Sequence, residues 1–318
     1  QWKLHFPKYG LQEVGQSARQ GVTHIQRPHN DYLWLWSEGG PLALIAFLAL
    51  AGLSLVQGFK NLGSTADLDR KSLSLLAILG LLAHLFFSFT DFPLERVAHN
   101  FFWALYLIMP FALADEGKGK VAQWTGVPIA LVALLALFLV KNRWQGEVAT
   151  QKVLDANAKQ QAKLIVTAAQ EAYSDWYQID PFANPLPYYE AKGLAFTNRP
   201  QEALKTIERA QALAPYNILV WDTKAQIYAR LNRLPEAITA LDTALSISPN
   251  FEMALLLKAE LHLQQEQFPE ALAALNAYPY WSNDQRYLMA LARALRGSVQ
   301  SYAQHGRFGA MMEHLQKS

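Results

Sequence analysis

The residues with the most chemistry to offer stand together shortly before the first long apolar run. They read Gln26-Arg27-Pro28-His29-Asn30-Asp31-Tyr32-Leu33-Trp34, then Glu38-Gly39-Gly40. An imidazole titrates near neutrality and serves as an acid or base wherever a proton must move. Arg27, His29, Asp31 and Glu38 gather this chemistry where the chain approaches a membrane surface, with Trp34 and Trp36 as interfacial anchors. The same residues also read as a helix entrance. Pro28 biases Arg27 away from helix, and Asn30 or Asp31 can cap the helix that follows. From the residues alone, a catalytic His29 and a capping element both stand.

Other candidates offer less. Asp67-Leu68-Asp69 has the form of a metal-binding Asp-x-Asp but lies beside Arg70 and Lys71, which favours a solvated turn. His84 falls inside an apolar run, where a packed helix contact outweighs a proton relay. His99 flanks the Asp91–Arg96 loop and could join Arg96. No phosphate-cradling glycine loop and no Gly-x-Ser-x-Gly elbow occurs. The chain has no cysteine, which excludes disulfides, thiolate metal sites and thiol nucleophiles. A net charge of +2 with no strongly basic segment gives no case for nucleic acid.

The elements that must position these residues fall into two kinds. Four windows lack Asp, Glu, Lys and Arg: Gly39–Phe59, Ser72–Thr90, Val97–Ala114 and Val121–Val140. Each is close to the ~20 residues that cross a bilayer as helix. Four crossings would put residues 1–38, the 91–96 loop and everything after Lys141 on one side. The basic residues near the spans are divided between the two sides, so charge does not fix the orientation. The chain starts with Gln and lacks a basic-then-apolar leader, so upstream sequence is expected.

From Pro187 onward the sequence repeats every 34 residues. Glu202-Ala203-Leu204, Glu236-Ala237-Ile238 and Glu270-Ala271-Leu272 are in register, as are Ala191, Ala225 and Ala259, and Pro215 and Pro249. Small residues at fixed positions let two antiparallel helices approach closely, and proline ends one pair before the next. The pattern resembles the tetratricopeptide repeat. The expected fold is all-α, a polytopic helical membrane domain with four spans plus a tetratricopeptide-type α-solenoid. Residues 1–37 are a loop end with the His29 segment, and 38–141 the membrane domain. Residues 142–183 are a helical linker, 184–283 the repeats and 284–318 capping helices.

The segment His29-Asn30-Asp31-Tyr32-Leu33 with Glu38-Gly39-Gly40 before an apolar span resembles the O-antigen ligase/polymerase family of membrane glycosyltransferases. Trp2-Lys3-Leu4 to Pro7-Lys8-Tyr9-Gly10 resembles the end of that family's large periplasmic loop, and Asp91-Phe92-Pro93-Leu94-Glu95-Arg96 a short loop of many members. The resemblance implies transfer of a glycan from an undecaprenyl-diphosphate carrier to a hydroxyl of lipid A-core, a protein or another glycan. It implies no cofactor and no metal, a multi-pass place in the bacterial inner membrane, and periplasmic repeats. His29 would relieve the acceptor hydroxyl of its proton, and Arg27 would serve the departing diphosphate. Arg96, Asn30, Asp31, Glu38 and His99 would contact diphosphate or glycan. The family's other essential arginines lie upstream, so the site on this chain would be incomplete. The rival expectation is a non-enzymatic membrane-anchored scaffold whose repeats recruit a protein partner.

Overall fold

The computed structural model describes residues 2–22, 28–64, 67–91, 93–114, 126–278 and 284–304. It is nearly all helical, with isolated bridges and no strand among the described residues. Its long helices are α1 (Asp31–Ser64), α2 (Leu68–Thr90), α3 (Val97–Ala112), α4 (Gly126–Ala158) and α5 (Ala162–Ala172). There follow α6 (Leu186–Phe196), α7 (Pro200–Leu213), α8 (Ile218–Arg230), α9 (Leu234–Ile247), α10 (Glu252–Gln264), α11 (Phe268–Asn276) and α12 (Gln285–Gln304). The chain divides into two compact units, residues 1–2 with 26–133, and residues 3–25 with 134–318.

In the first unit, α1 and α2 are long and apolar enough to cross a membrane. Helix α3 has 16 residues and contains Pro110. At 1.5 Å per residue it is about 24 Å long, short of the roughly 30 Å hydrocarbon core. The fourth apolar window begins outside the described residues and continues in α4, which runs past Lys141 without a break. Helix α1 is interrupted at Gly40, whose φ of 72° and ψ of −175° only glycine adopts readily. Pro41 then opens the apolar part, where its missing N–H costs least. Asp67 caps α2 by accepting from the backbone of Asp69 and Arg70.

The polarity of this unit is inverted relative to a water-soluble bundle. Small and polar residues face inward: Ala51, Ser54, Gly58 and Asn61 on α1, and Ser74, Ala77, His84 and Ser88 on α2. Leu42, Ile45, Leu53, Phe59, Leu79, Phe86 and Ile108 face outward. Only 22% and 33% of the two apolar windows are buried. Polar side chains tie the helices together, Ser54 donating to the Leu107 carbonyl at 2.9 Å and Asn61 to the Pro110 carbonyl at 2.7 Å. Gly80 has no side chain because the Tyr106 ring occupies the space a Cβ would need. The rings of His84 and Trp103 stack 4.3 Å apart, with Phe47 on Trp103 at 4.9 Å, so His84 is a packing residue here.

In the second unit, α6/α7, α8/α9 and α10/α11 are successive antiparallel pairs. The turn inside each carries a left-handed residue, at Asn198, Asn232 and Glu266, spaced by the same 34 residues as the sequence. The alanines that define the register, Ala191, Ala225, Ala259, Ala203, Ala237 and Ala271, are all 0% exposed. The end of α4 and helix α5 continue this packing toward the N-terminus, placing Val153, Ala156, Ile165 and Ala169 in one core with Leu186, Leu194 and Ile207. At the other end α12 brings Tyr287, Ala290 and Ala294 against Leu272 and Leu275.

Residues 3–22 belong to this unit and run along the turns that join one repeat to the next. Leu11, 6% exposed, joins the core of Ile218, Leu241, Ile247 and Phe251, with Phe6 and Val14 beside it. Its amide donates to the Ile247 carbonyl at 2.9 Å. Ser248 donates to the Arg19 carbonyl at 2.8 Å. Gln20 donates to the Asn250 carbonyl at 2.7 Å and accepts from the Glu252 amide at 3.0 Å. Replacing Leu11 with alanine is expected to cost this docking about 2–4 kcal/mol through lost burial and the cavity left behind. Hydrogen exchange at residues 8–20 and 247–252 should rise together, leaving α6 and α7 unchanged. Unaltered exchange in the first segment would refute the docking.

Candidate functional site

The entrance to α1 is built around Asn30 and Asp31. Asn30 accepts from the Leu33 amide at 2.9 Å, capping the first turn, and donates to the Phe89 carbonyl at 2.9 Å. Asp31 is 0% exposed and accepts from the Leu94 amide at 3.1 Å and the Ser88 hydroxyl at 3.3 Å. Asn100 donates to the Leu94 carbonyl at 2.6 Å, fixing the same turn from α3. The structure thus brings the 29–31 segment and the 91–96 turn to one end of the first unit. His29, Arg96 and His99 are exposed at that end. Arg96 pairs with Asp91 at 3.1 Å, and Glu38 accepts from the Trp2 amide at 2.7 Å. Arg27 lies outside the described residues. Among the described residues no group of three His, Asp or Glu side chains could hold a metal ion.

A second candidate lies on the concave face of the repeats and was not singled out from the sequence. The first helix of each repeat lines a cavity of about 740 Å³. Its wall alternates polar and apolar groups: Lys192 and Phe196 from α6, Asp222 and Gln226 from α8, and Met253, Leu257 and Glu260 from α10. Asn157 and Arg286 contribute from the flanking helices α4 and α12. Lys192, Gln226 and Glu260 are 34 residues apart, as are Tyr188, Asp222 and Leu256. The repeat register therefore carries these positions, though their residue types differ.

Asp222 is the unusual member. It is 2% exposed, and its Oδ2 accepts from Gln226 at 2.7 Å. Its Oδ1 has no hydrogen-bond partner among the described residues. Burial pushes its carboxyl up to about 6, against the opposing pull of the Gln226 bond and the Lys192 charge. The Lys192 ammonium donates to Asn157 at 2.9 Å, and burial holds it below the usual lysine range. A contrasting cluster nearby is fully satisfied. Asp180 accepts from the Asn184 amide and the Tyr189 hydroxyl, both at 2.8 Å, and Asn217 donates to Asn184 at 3.0 Å. That network holds the loop before α6, whereas Asp222 keeps one oxygen for something else.

Comparison with known proteins bears on the repeats. A family model described as tetratricopeptide repeat matches residues 228–294. No curated protein matches the chain. A solved structure of a MamA variant is similar at 17% identity and a TM-score of 0.39, covering 57% of this chain and 96% of that one. Residues 228–294 thus belong to a tetratricopeptide array, and the 34-residue register of backbone and alanines carries the same arrangement back to Leu186.

The raised Asp222 carboxyl has a consequence for stability. An aspartate in the unfolded chain titrates near 3.9, so between roughly pH 4 and 6 the folded protein holds more protons than the unfolded one. Stability contributed here is greatest at low pH and falls as pH rises through about 6. Asp222→Asn should remove that loss. Relative to wild type, its opening free energy at α8 amides should match at pH 4 and exceed it by on the order of 2 kcal/mol at pH 7.5. A difference that does not change with pH would sink this account.

Proposed function

We propose that this chain is a membrane-anchored scaffold whose concave repeat surface recruits a protein partner. The observation that carries the reading is the groove of α6, α8 and α10, with a buried carboxylate oxygen turned to no protein group, in a chain that matches the tetratricopeptide family. Arrays of this kind use their concave face for binding.

Anchoring is supported by the outward apolar surface of α1 and α2 and by their small, polar contacts. Helices associate that way in lipid, where apolar burial drives nothing. With α3 and the apolar start of α4 the crossings would number four. Residues 3–25 pack within the same unit as the repeats, so the chain between them must leave and return to one side. An even number of crossings meets that requirement.

To test recruitment, a photo-crosslinking amino acid is placed at Phe196 or Met253 in cells. One discrete protein adduct is expected from both positions, and Leu257→Asp in the groove wall should abolish it without lowering the level of the chain. Absence of any adduct, or a smear insensitive to Leu257→Asp, would count against the scaffold.

A second reading, glycan transfer from an undecaprenyl-diphosphate carrier in the periplasm, is favoured by one observation. Asp31 ties the His29 segment to the turn before Arg96. That arrangement would set an imidazole for the acceptor hydroxyl near a guanidinium for the diphosphate. In cells carrying the full gene, His29→Ala is then expected to cut glycan product at least about a hundredfold while membrane insertion persists. Wild-type product would dismiss it.

A further inference from the structure

We propose that the concave groove receives a peptide side chain carrying a positive charge, lysine or arginine, whose head group bonds to Oδ1 of Asp222. The proposal rests on reading the repeats as a recruitment surface and names the chemistry of the partner.

The position of Asp222 does not itself call for a carboxylate. The equivalent residues in the neighbouring repeats are Tyr188 and Leu256, and both pack as buried side chains. An ionised group buried in a helix array is costly unless paired. Gln226 supplies one neutral hydrogen bond, to Oδ2, and leaves the charge unbalanced. The cations in the wall are committed elsewhere, Lys192 to Asn157 at 2.9 Å and Arg286 to Asp284 at 2.9 Å. A second carboxylate, Glu260, lines the same cavity.

What would complete this site is a cation delivered on an apolar stem. Phe196, Met253 and Leu257 offer a surface for the methylenes of lysine or arginine, and Asp222 offers the acceptor for the head. A sugar hydroxyl would satisfy the hydrogen bond but leave the buried charge uncompensated. The observations therefore favour a basic peptide over a glycan.

The test uses the full chain in lipid nanodiscs against an array of randomised nonapeptides. Each peptide is made in four versions, with lysine, arginine, norleucine or glutamate at the centre. Lysine and arginine versions are expected to bind roughly tenfold or more tightly than their norleucine counterparts, as a charge-assisted bond to a buried acceptor implies. Glutamate versions should bind weakest. Asp222→Asn should shrink the lysine-to-norleucine ratio to about threefold or less while norleucine binding is retained. Equal binding of lysine and norleucine versions by the wild-type chain would overturn the inference and leave recruitment itself standing. Failure of every peptide, or saturable binding of maltoheptaose in their place, would overturn both. Because the wild-type comparison reads charge preference directly, the outcome does not depend on how well the variant folds.

Discussion

The close approach of paired helices at alanine is the constraint on which the second unit depends. Ala191, Ala225 and Ala259 face Ala203, Ala237 and Ala271 across each repeat with no exposed surface. A larger side chain at any of these would push the pair apart and alter the angle at which the next repeat stacks. Because the same spacing recurs, small errors would accumulate along the array. The left-handed turns at Asn198, Asn232 and Glu266 repeat with the alanines, so backbone and packing keep one period. The concave groove is a product of that regularity. It exists because successive first helices are held side by side at a fixed offset.

The first unit solves a different problem with related means. Its helices meet through Ala, Ser, Gly and Asn rather than through large apolar groups, which are turned outward. In such a unit each polar side chain needs a partner, and Ser54, Asn61 and Asp31 find theirs in backbone groups of a neighbouring segment. The break at Gly40–Pro41 separates the capped turn that carries Asn30 and Asp31 from the apolar helix. The His29 end is therefore set by hydrogen bonds, and the apolar stretch by close packing.

Much of this was legible in the residues, and the exceptions have physical causes. The 34-residue register and its alanines could be read because identical small residues recur where helices touch. Capping by Asn30 could also be read, since a local bond three residues on is encoded locally. Its second bond, to Phe89, links segments 59 residues apart and leaves no periodic trace. The docking of residues 3–22 is hidden for the same reason, Gln20 meeting Glu252 across 232 positions. Four equal spans were expected from charge-free windows alone, but Pro110 lies within the third, and the helix ends at Ala112. The groove was missed although its positions obey the register. Lys192, Gln226 and Glu260 share a place in the repeat but not a residue type, and a search for recurring identities passes over them.

That last point separates two kinds of information along a single helix. On α8, Ala225 looks toward the partner helix and Asp222 and Gln226 toward the cavity, so adjacent residues answer to different demands. The alanine side admits almost no change, whereas the cavity side holds tyrosine, aspartate or leucine at one position and lysine, glutamine or glutamate at another without loss of the array. Recognition here is therefore editable one helix turn at a time, with the architecture as an unchanging frame. A lineage carrying this chain could trade one partner for another by substitutions at positions 192, 222, 226 and 260, with no new fold and no remodelled core.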